Sequence, residues 1–441
     1  MLNFEERTGP SVVPPVQYPD LTVPSWWRDA KLGLFIHWGL YSLPAWATLD
    51  SARAQPENAY ADHGYAEWYA NTVRIEGSGA WRHHRKTFGE GTTYEDLADE
   101  WRPGRFDADA FVGVLADAGA RYVVPTAKHH DGFCLWNTAT TPFSALRRGP
   151  HRDLIAEIAD AVRRRNLRFG VYFSGALDWH VSDFPPIRSD RDLFVLRRQD
   201  EPFARYAAAQ LDELIERFKP DIVWNDIEWP DGGKGSHEYG IAALLVRAHR
   251  ANPNVVVNDR WGVPAHGHLT REYSVVPDIL TEPWEATRGL GASFGYNQIE
   301  GPEQILTVDE AVRLLVDVVS KNGNLLLNVG PDAGGAIARA QIETLNGLGK
   351  WLGAHGSAIY GTRPWRRFGD GDSLRFTTAG DTLYLQLLQP SSGTLSWPAD
   401  VPRGSATWLD GDPVDIENGR LVVPERLRGL PVAVAQVRLP S

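Results

Sequence analysis

The chain has 441 residues, a formal net charge of −11, 43% hydrophobic and 23% charged residues, and one cysteine. This length exceeds the usual size of one compact core, so we expect two domains, residues 1–358 and 359–441. The acidic balance and the lack of a long Lys/Arg run argue against a nucleic-acid partner. Cys134 alone excludes an intrachain disulfide and a thiolate zinc site.

The first residues and the hydropathy predict where the protein works. Glu5 and Glu6 stand where a secretory signal needs a basic start and an apolar run. No apolar stretch of the sequence approaches the length of a membrane span. We therefore expect a cytoplasmic protein with no membrane partner. The oligomeric state is not readable, and a homo-oligomer is compatible with the sequence.

Short apolar runs alternate with helical patterns between about residues 31 and 331. The predicted strands are Gly33–Trp38, Tyr122–Lys128, Arg168–Ser174, Asp221–Asp226, Val255–Asp259, a weaker one at Asp278–Thr281, and Asn324–Val329. This alternation predicts parallel βα units. Roughly eight units in this length fit an α/β fold of the (β/α)8 (TIM-type) barrel better than an open doubly wound sheet. Strand signals are weak over residues 264–296, where we expect one or two irregular strands.

The texture of the sequence changes after Tyr360. Short alternating segments separated by Gly, Pro and Asp predict a small C-terminal β-sandwich, with strands near Ser373–Thr377, Thr382–Leu388, Ala406–Leu409 and Ala433–Leu439. Two long insertions, residues 40–94 and 176–201, follow predicted barrel strands. Loops after barrel strands lie on the catalytic face, so these insertions should wall the pocket.

Polar residues end five of the predicted strands. They are His37, then His129, His130 and Asp131, then Tyr172 and Ser174, then Trp224, Asp226 and Glu228, and finally Asn258, Asp259 and Arg260. The carboxyl ends of successive barrel strands meet at one mouth, so these side chains should converge there.

One chemistry open to such a mouth is metal-dependent hydrolysis, with His37, His129, His130 and Asp226 as ligands. Barrel metallohydrolases commonly present two histidines separated by one residue. His129 and His130 are adjacent, and adjacent strand residues face opposite sides unless the strand has already bent into loop. The metal centre is therefore the weaker hypothesis, and we expect no metal or other cofactor.

The other chemistry is glycoside hydrolysis, which needs two carboxylates flanking the scissile bond. Asp226 is the candidate nucleophile because it shares strand parity with Trp224, so both project to one side. An Asp that binds a helix N-terminus is the structural alternative for this position. The candidate partner acids are Glu67, Glu228, Glu272, Glu282 and Glu285, among which spacing alone does not choose.

Six runs in the chain resemble glycoside hydrolase family 29, the α-L-fucosidases. They are Lys31–Ser42, Ala127–Phe133, Gly170–Ser174, Trp224–Asp226, Asn258–Gly262 and Asn324–Pro331, in this order along the chain. The resemblance extends from about Trp26 to Trp365. It implies an N-terminal barrel and a C-terminal β-sandwich. It also implies metal-free retaining hydrolysis that releases terminal α-L-fucose, so the expected partner is a fucosylated glycan or glycoside.

The resemblance also implies roles for single residues. It makes Asp226 the nucleophile and Glu272 the acid/base, with Glu285 as second choice. It makes His37, Glu67, Trp68, His129 and His130 binders of the fucose hydroxyls, Tyr172, Trp224 and Arg260 further pocket residues, and Phe294 the wall for the sugar methyl. Arg260 would also hold a carboxylate ionised.

One position departs from the family pattern. Many members have Gly directly after the nucleophile, whereas Ile227 stands here. The turn beyond Asp226 is therefore expected to differ, which affects any leaving-group contact near Glu228 and Trp229. A non-catalytic sugar-binding protein on the same scaffold is the third hypothesis. It requires the loss of one carboxylate of the pair, and neither is evidently missing.

Overall fold

A computed structural model of the chain describes residues 16–49, 59–274, 276–388, 390, 393–402 and 406–440. Its first eight strands are β1 (Leu32–Ile36), β2 (Tyr122–Lys128), β3 (Arg168–Ser174), β4 (Ile222–Asp226), β5 (Val256–Val257), β6 (Leu269–Glu272), β7 (Trp284–Gly289) and β8 (Gly323–Val329). They form one curled sheet in the order β5-β4-β3-β2-β1-β8-β7-β6. Every neighbouring pair is parallel.

The two outer strands of this sheet, β5 and β6, are joined by the chain between them. The carbonyl of Val257 accepts the N–H groups of Gly267 at 2.9 Å and His268 at 3.2 Å, directly before β6 begins. These bonds bring the sheet round on itself. The predicted (β/α)8-like barrel is therefore confirmed.

Of the helices that the structure describes, one precedes β1 and the others follow barrel strands. They are α1 (Ser25–Ala30), α2 (Tyr69–Thr72), α3 (Gly79–Thr87), α4 (Ala108–Asp117), α5 (Leu154–Arg164), α6 (Asp190–Val195), α7 (Glu201–Phe218), α8 (Ile241–Ala251), α9 (Val308–Ser320) and α10 (Arg339–His355). Local chemistry sets their ends. The Asp107 carboxylate accepts the Ala110 N–H at 2.8 Å to begin α4, and Thr307 with Glu310 forms a capping box on α9.

The barrel strands are buried on both faces. On β1, Leu34 and Ile36 join the apolar core beneath the helices, whereas Phe35 belongs to a separate cluster inside the barrel with Tyr172 and Trp224. This follows from the alternation of side chains along a strand. The inner aromatic cluster fills the barrel below its carboxyl-terminal mouth.

The predicted strand Asp278–Thr281 is wrong. This segment contains no strand, and Ile279 and Leu280 lie half-buried in a loop. The barrel strands of this region are β6 and β7 instead. Both are irregular in sequence, because they carry charged and polar residues at buried or half-buried positions. The Glu285 carboxylate is hydrogen-bonded inside the barrel, whereas the buried hydroxyl of Thr287 has no hydrogen-bond partner among the described residues. Such polar positions interrupt the apolar run that marks the neighbouring strands.

The C-terminal part is all-β, as expected. Its strands are β9 (Arg363–Asp370), β10 (Leu374–Ala379), β11 (Thr382–Leu387), β12 (Thr394–Ser396), β13 (Thr407–Trp408), β14 (Ile416–Glu417), β15 (Arg420–Val422) and β16 (Ala433–Arg438). They form an antiparallel sheet β13-β16-β11-β10-β9 and a small sheet β12-β15-β14 around their own apolar core. Arg375 contacts Asp317 of α9 at 2.6 Å, which fastens this part to the barrel. The boundary at residue 358 stays a prediction.

Candidate active site

The carboxyl ends of the barrel strands and the first insertion enclose a narrow pocket. Of the residues to which the family resemblance gives a role, Glu285 alone does not line it. The others that line it are His37, Glu67, Trp68, His129, His130, Tyr172, Trp224, Asp226, Arg260, Glu272 and Phe294. Phe35, Tyr65, Ile227 and Thr287 complete the lining. The strand-end residues converge there in part: Asp131, Ser174, Glu228, Asn258 and Asp259 do not line the pocket.

Asp226 is the last residue of β4 and is buried, with 8% of its surface exposed. Its Oδ2 accepts the hydroxyl of Tyr172 at 2.8 Å, and its Oδ1 accepts Nη1 of Arg260 at 3.0 Å. Burial alone would raise the pKa of this carboxyl, but the Arg260 charge and the hydrogen bonds outweigh it and hold the pKa below its ordinary value. Asp226 is therefore an ionised carboxylate at neutral pH.

Arg260 joins Asp226 to Glu272. Its Nη2 donates to Oε2 of Glu272 at 2.8 Å, and its Nε donates to Oγ1 of Thr270 at 3.0 Å. The guanidinium also lies over the ring of Trp224, 4.7 Å from the ring centroid. Three contacts around one planar group fix the cation between the two carboxylates.

Two histidines of the pocket have one tautomer each. Ser174 gives its only hydroxyl proton to the Leu177 carbonyl, so its oxygen accepts from Nδ1 of His130 at 2.7 Å. Asn328 uses its amide N–H on the Phe294 carbonyl, which leaves its oxygen for Nδ1 of His37 at 2.7 Å. The Nε2 atom of each neutral ring is therefore an acceptor.

Burial keeps both of these rings uncharged. It lowers the pKa of His37 and of His130 to about 4, even though the Asp226 charge acts in the opposite direction. Nε2 of His130 lies 3.8 Å from Oδ2 of Asp226. Two acceptors at this separation suit a hydroxyl of a bound molecule that donates to one of them.

His129 and His130 both line the pocket although they are adjacent. Strand β2 ends at Lys128, and the chain turns at these two residues, with their ring centroids 4.0 Å apart. The bend therefore removes the alternation that would have separated them. The ring of His129 stacks on Tyr172, its Nδ1 is buried without a hydrogen-bond partner among the described residues, and burial holds its pKa well below the ordinary value.

Glu67 and Trp68 come from the first insertion, in a short 3-10 helix. Oε2 of Glu67 accepts the N–H of Gly295 at 2.7 Å and the hydroxyl of Ser293 at 3.1 Å. Burial raises the pKa of Glu67 to about 7 despite these bonds. The Trp68 ring meets His130 edge to face at 5.3 Å, so the insertion closes this side of the pocket.

Glu285 lies below the pocket, near the start of β7. It is 1% exposed, and its two oxygens accept the hydroxyl of Tyr122 at 2.6 Å and Nε1 of Trp224 at 3.1 Å. Trp224 stacks on Tyr172 to form the floor of the pocket. Glu285 therefore supports the floor from beneath, on the opposite side from Asp226.

The remaining candidate acids face elsewhere. Glu228 is buried in an ion cluster with Arg197 at 2.8 Å and Lys234 at 3.3 Å, and Trp229 is fully buried. Glu282 is exposed on a loop. The sequence interpretation did not single out Tyr65, whose hydroxyl points to Oε1 of Glu272 at 3.4 Å. The available signal was its position two residues before Glu67.

The larger of two cavities is not the one that contains the paired carboxylates. The carboxylate pocket has a free volume of only about 40 Å³, enough for a few water molecules. A cleft of about 650 Å³ lies between residues 70–95 and 179–183. Asp131 lines it, but none of the residues to which the family resemblance gives a role does. The paired carboxylates, the neutral histidines and the buried cation identify the smaller pocket as the candidate site.

Two further observations concern the described residues only. No group of three or more His, Cys, Asp or Glu side chains in that part of the chain is arranged to hold a metal ion. None of its helices is both long and apolar enough to cross a bilayer.

Comparison with known proteins gives a consistent result. A family model described as alpha-L-fucosidase matches residues 14–357. Tissue alpha-L-fucosidase of Rattus norvegicus is 33% identical over 395 residues, covering 86% of this chain and 77% of the rat protein. The crystal structure of Thermotoga maritima alpha-fucosidase superposes with a TM-score of 0.86 at 41% identity, covering 95% of this chain and 97% of that one. A structure of the Thermotoga maritima enzyme in complex with fucose matches with a TM-score of 0.86 and 41% identity, covering 94% and 97% of the two chains.

The family match covers most of the chain, and the fold and the pocket agree with it. The chain belongs to the α-L-fucosidase family, glycoside hydrolase family 29, and is a glycoside hydrolase.

Proposed function

We propose that the protein hydrolyses terminal α-L-fucose from fucosylated glycans or glycosides by double displacement, with Asp226 as nucleophile and Glu272 as acid/base. The observation that supports this most directly is the pair of carboxylates on one guanidinium at the barrel mouth. A retaining glycosidase needs one ionised carboxylate and one carboxyl that exchanges a proton, both close to the anomeric carbon. Asp226 and Glu272 are the pocket carboxyls that share a cation, whereas Glu67, a third carboxyl of the lining, is held by Ser293 and Gly295 instead.

In the first step, an oxygen of Asp226 attacks the anomeric carbon and the bond to the leaving oxygen breaks. The electron pair of that bond goes to the leaving oxygen, which takes a proton from Glu272. Tyr172 and Arg260 hold Asp226 at fixed geometry, so the nucleophile needs little reorganisation before attack. The product is a fucosyl ester of Asp226.

In the second step, Glu272 removes a proton from water, and the water oxygen attacks the same carbon as the ester bond breaks. Two inversions leave the configuration of fucose unchanged. The carboxyl groups should lie roughly 5–5.5 Å apart when substrate is bound, as in other retaining enzymes.

Glu272 has to change partner during this cycle. Its ion pair with Arg260 requires an ionised carboxyl, whereas a general acid carries a proton. With 17% of its side chain exposed, Glu272 is the more accessible carboxylate of the pair. We expect it to leave Arg260 for the leaving oxygen when the ring enters.

The polar lining suits a neutral sugar. Uncharged His37 and His130 present acceptor nitrogens to hydroxyl groups, and the unpartnered Nδ1 of His129 adds another buried polar site. Glu67 offers a carboxyl that burial keeps partly protonated at neutral pH. Phe294 packs against the His37 ring and provides an apolar wall for the methyl group of a 6-deoxy sugar.

The closed floor favours removal of a terminal sugar. Trp224, Tyr172 and the Glu285 network seal the pocket from below, so a glycan enters by its end. The crystal structure of Thermotoga maritima alpha-fucosidase in complex with fucose, a protein 41% identical to this chain, supports the choice of sugar.

The test is hydrolysis of an aryl α-L-fucoside followed by proton NMR. We expect α-L-fucose as the first-formed anomer, with slow mutarotation to the β form afterwards. First formation of the β anomer would refute double displacement. Absence of turnover together with saturable fucose binding would favour the non-catalytic sugar-binding alternative.

A further inference from the structure

The turn that follows Asp226 has an unfavourable backbone conformation. Ile227 has φ of 54° and Glu228 has φ of 65°, so both lie in the left-handed region. That region is disfavoured for any residue with a Cβ, and most for a β-branched one such as isoleucine. The N–H of Ile227 donates to Oδ1 of Asp226 at 2.9 Å. The shape of this turn therefore determines one of the hydrogen bonds that orient Asp226.

A side chain from another part of the fold holds the turn. Arg197 belongs to the segment 176–201 that follows β3, and its Nη1 donates to the carbonyl of Ile227 at 3.2 Å. Its Nη2 donates to Oε2 of Glu228 at 2.8 Å. Both side chains of this ion pair are nearly fully buried, at 4% and 7% exposed. One guanidinium thus binds the two consecutive left-handed residues, one through its backbone and one through its side chain.

Other contacts fix the two ends of the turn. At its start, the N–H of Gly175 donates to the carbonyl of Asp226 at 3.0 Å. The N–H of Glu228 donates to the carbonyl of Arg260 at 3.0 Å, and Nδ2 of Asn225 donates to the carbonyl of Glu228 at 3.0 Å. Arg197 is the partner that the structure gives to the carbonyl of Ile227 itself. If that contact is lost, the peptide after Ile227 can rotate towards an ordinary φ. The backbone of Ile227 then shifts at its Cα and carbonyl, which disturbs the hydrogen bond from its N–H to Oδ1 of Asp226.

We propose that Arg197 is a positioning residue for the nucleophile, which it orients by clamping the left-handed turn Ile227–Glu228. Arg197 does not line the pocket and acts only through that turn. The inference rests on the proposed role of Asp226. It adds a requirement that the double-displacement mechanism by itself does not contain, namely a second buried cation that contacts the turn after Asp226 and not the carboxylate itself.

The main test is Arg197→Lys. Lysine keeps the positive charge beside Glu228 but presents a single ammonium group, which cannot reproduce the fork that serves both acceptors. We expect kcat on an aryl α-L-fucoside to fall roughly a hundredfold, the scale of a misplacement of about 1 Å at a reacting group. Fucose should inhibit with an unchanged constant, and fucosyl fluoride should lose as much kcat as poor leaving groups, because attack rather than protonation is impaired. Arg191→Lys, at an exposed arginine of the same segment, is the matched control and should keep wild-type kcat.

Glu228→Gln provides a second route, since it weakens the same clamp with little change in volume. Its loss of kcat should be smaller, and the double variant should lose much less than the product of the two single effects, because both act through one turn. Three outcomes would overturn the proposal. They are an unchanged kcat in the folded variants, independent effects of the two substitutions in the double variant, and a loss of fucose binding as large as the loss of kcat. If Arg197→Lys does not fold, Glu228→Gln decides. Wild-type protein that releases no fucose, or a fluorosugar label on a residue other than Asp226, refutes the proposed function instead.

Discussion

Asp226 and Glu272 are bound by the two terminal nitrogens of one guanidinium: Nη1 of Arg260 contacts Oδ1 of Asp226 at 3.0 Å, and Nη2 contacts Oε2 of Glu272 at 2.8 Å. The two carboxylates have opposite needs in the proposed mechanism, since one stays ionised while the other exchanges a proton. A cation fixed between them stabilises both charges in the empty site. It can give up Glu272 when substrate enters and still hold Asp226.

Replacing this cation should change the pH dependence of the enzyme. The charge of Arg260 lowers the pKa of Asp226 more than any other group does. Burial alone would raise that pKa above its ordinary value of 3.8. In Arg260→Gln the pKa of Asp226 rises. As the pH is lowered, Asp226 therefore becomes protonated at a higher pH than it does in the wild type. We expect the acid limb of kcat/KM to move upwards and kcat at neutral pH to fall by about 10²-fold, as when a fixed charge-stabilising donor is removed.

The measurement is a kcat/KM profile on an aryl fucoside between pH 3 and 8. Arg339→Gln serves as control, because Arg339 is 93% exposed on an outer helix and should leave the profile unchanged. An acid limb that stays in place in Arg260→Gln would show that Arg260 does not control the ionisation of the nucleophile.

Removal of the nucleophile should be chemically reversible. Asp226→Gly leaves space at the anomeric carbon and should lower kcat at least about a thousandfold, the scale seen when a nucleophile is deleted. Added azide should restore turnover and give β-fucosyl azide, because the small anion attacks from the face that Asp226 occupied. Product NMR identifies the azide anomer. Activity close to wild type in this variant, without azide, would exclude Asp226 as nucleophile.

The acid/base assignment makes a different prediction for each carboxylate. Glu272→Ala should lose far more kcat on substrates with poor leaving groups than on activated aryl fucosides, since only the former need a proton. Glu285→Gln should affect all leaving groups equally, because Glu285 contacts Tyr122 and Trp224 rather than the pocket.

A plot of log kcat against leaving-group pKa separates the two cases. A steep slope in Glu285→Gln and a flat one in Glu272→Ala would reverse the assignment. Glu285→Gln should also lower the free energy of unfolding by about 1–3 kcal/mol, because charged acceptor oxygens are lost from buried donors. Denaturant unfolding of the two variants measures that difference.

Most of the barrel could be predicted because most of its strands are uninterrupted apolar runs. β2 and β3 begin and end where the sequence indicates, since every residue of β2 and all but the first of β3 are buried. β6 and β7 could not be recognised in this way. Glu285 is buried in β7 but paired with hydrogen-bond donors inside the barrel, and no apolar pattern reveals such pairing.

The choice between Glu272 and Glu285 shows the same limit at the site. In the parallel register Thr270 is opposite Glu285, and Glu272 is opposite Thr287. Glu272 therefore ends its strand at the barrel mouth, whereas Glu285 lies one step after the start of its own strand. Spacing along the sequence contains no information on where an irregular strand begins. Family motifs located the histidines and Asp226, but the contacts of Arg197 with the next turn required coordinates.

Glu67 should make the stability of the protein depend on pH. Burial raises the pKa of Glu67 from 4.5 to about 7, so the folded state binds its proton more tightly than the unfolded chain does. The stabilisation is complete below pH 4.5 and is lost as the pH rises towards about 7. Glu67→Gln cannot titrate, so its unfolding free energy should fall less over this interval than that of the wild type. The difference between the two proteins should reach up to about 3 kcal/mol, given 1.36 kcal/mol per pKa unit.

The wild type has to be compared with Glu67→Gln because other buried acids also make the unfolding free energy fall as the pH rises. Burial also raises the pKa of Asp131 to about 6 and that of Glu300 to about 7. Both remain in Glu67→Gln, so their contribution cancels when the two unfolding curves are subtracted. Glu300→Gln is the matched control for an acid outside the pocket: it should flatten the stability profile without changing KM, whereas Glu67→Gln should do both if Glu67 binds the sugar. Parallel profiles of wild type and Glu67→Gln between pH 4.5 and 7 would mean that the buried carboxyl of Glu67 does not hold its proton.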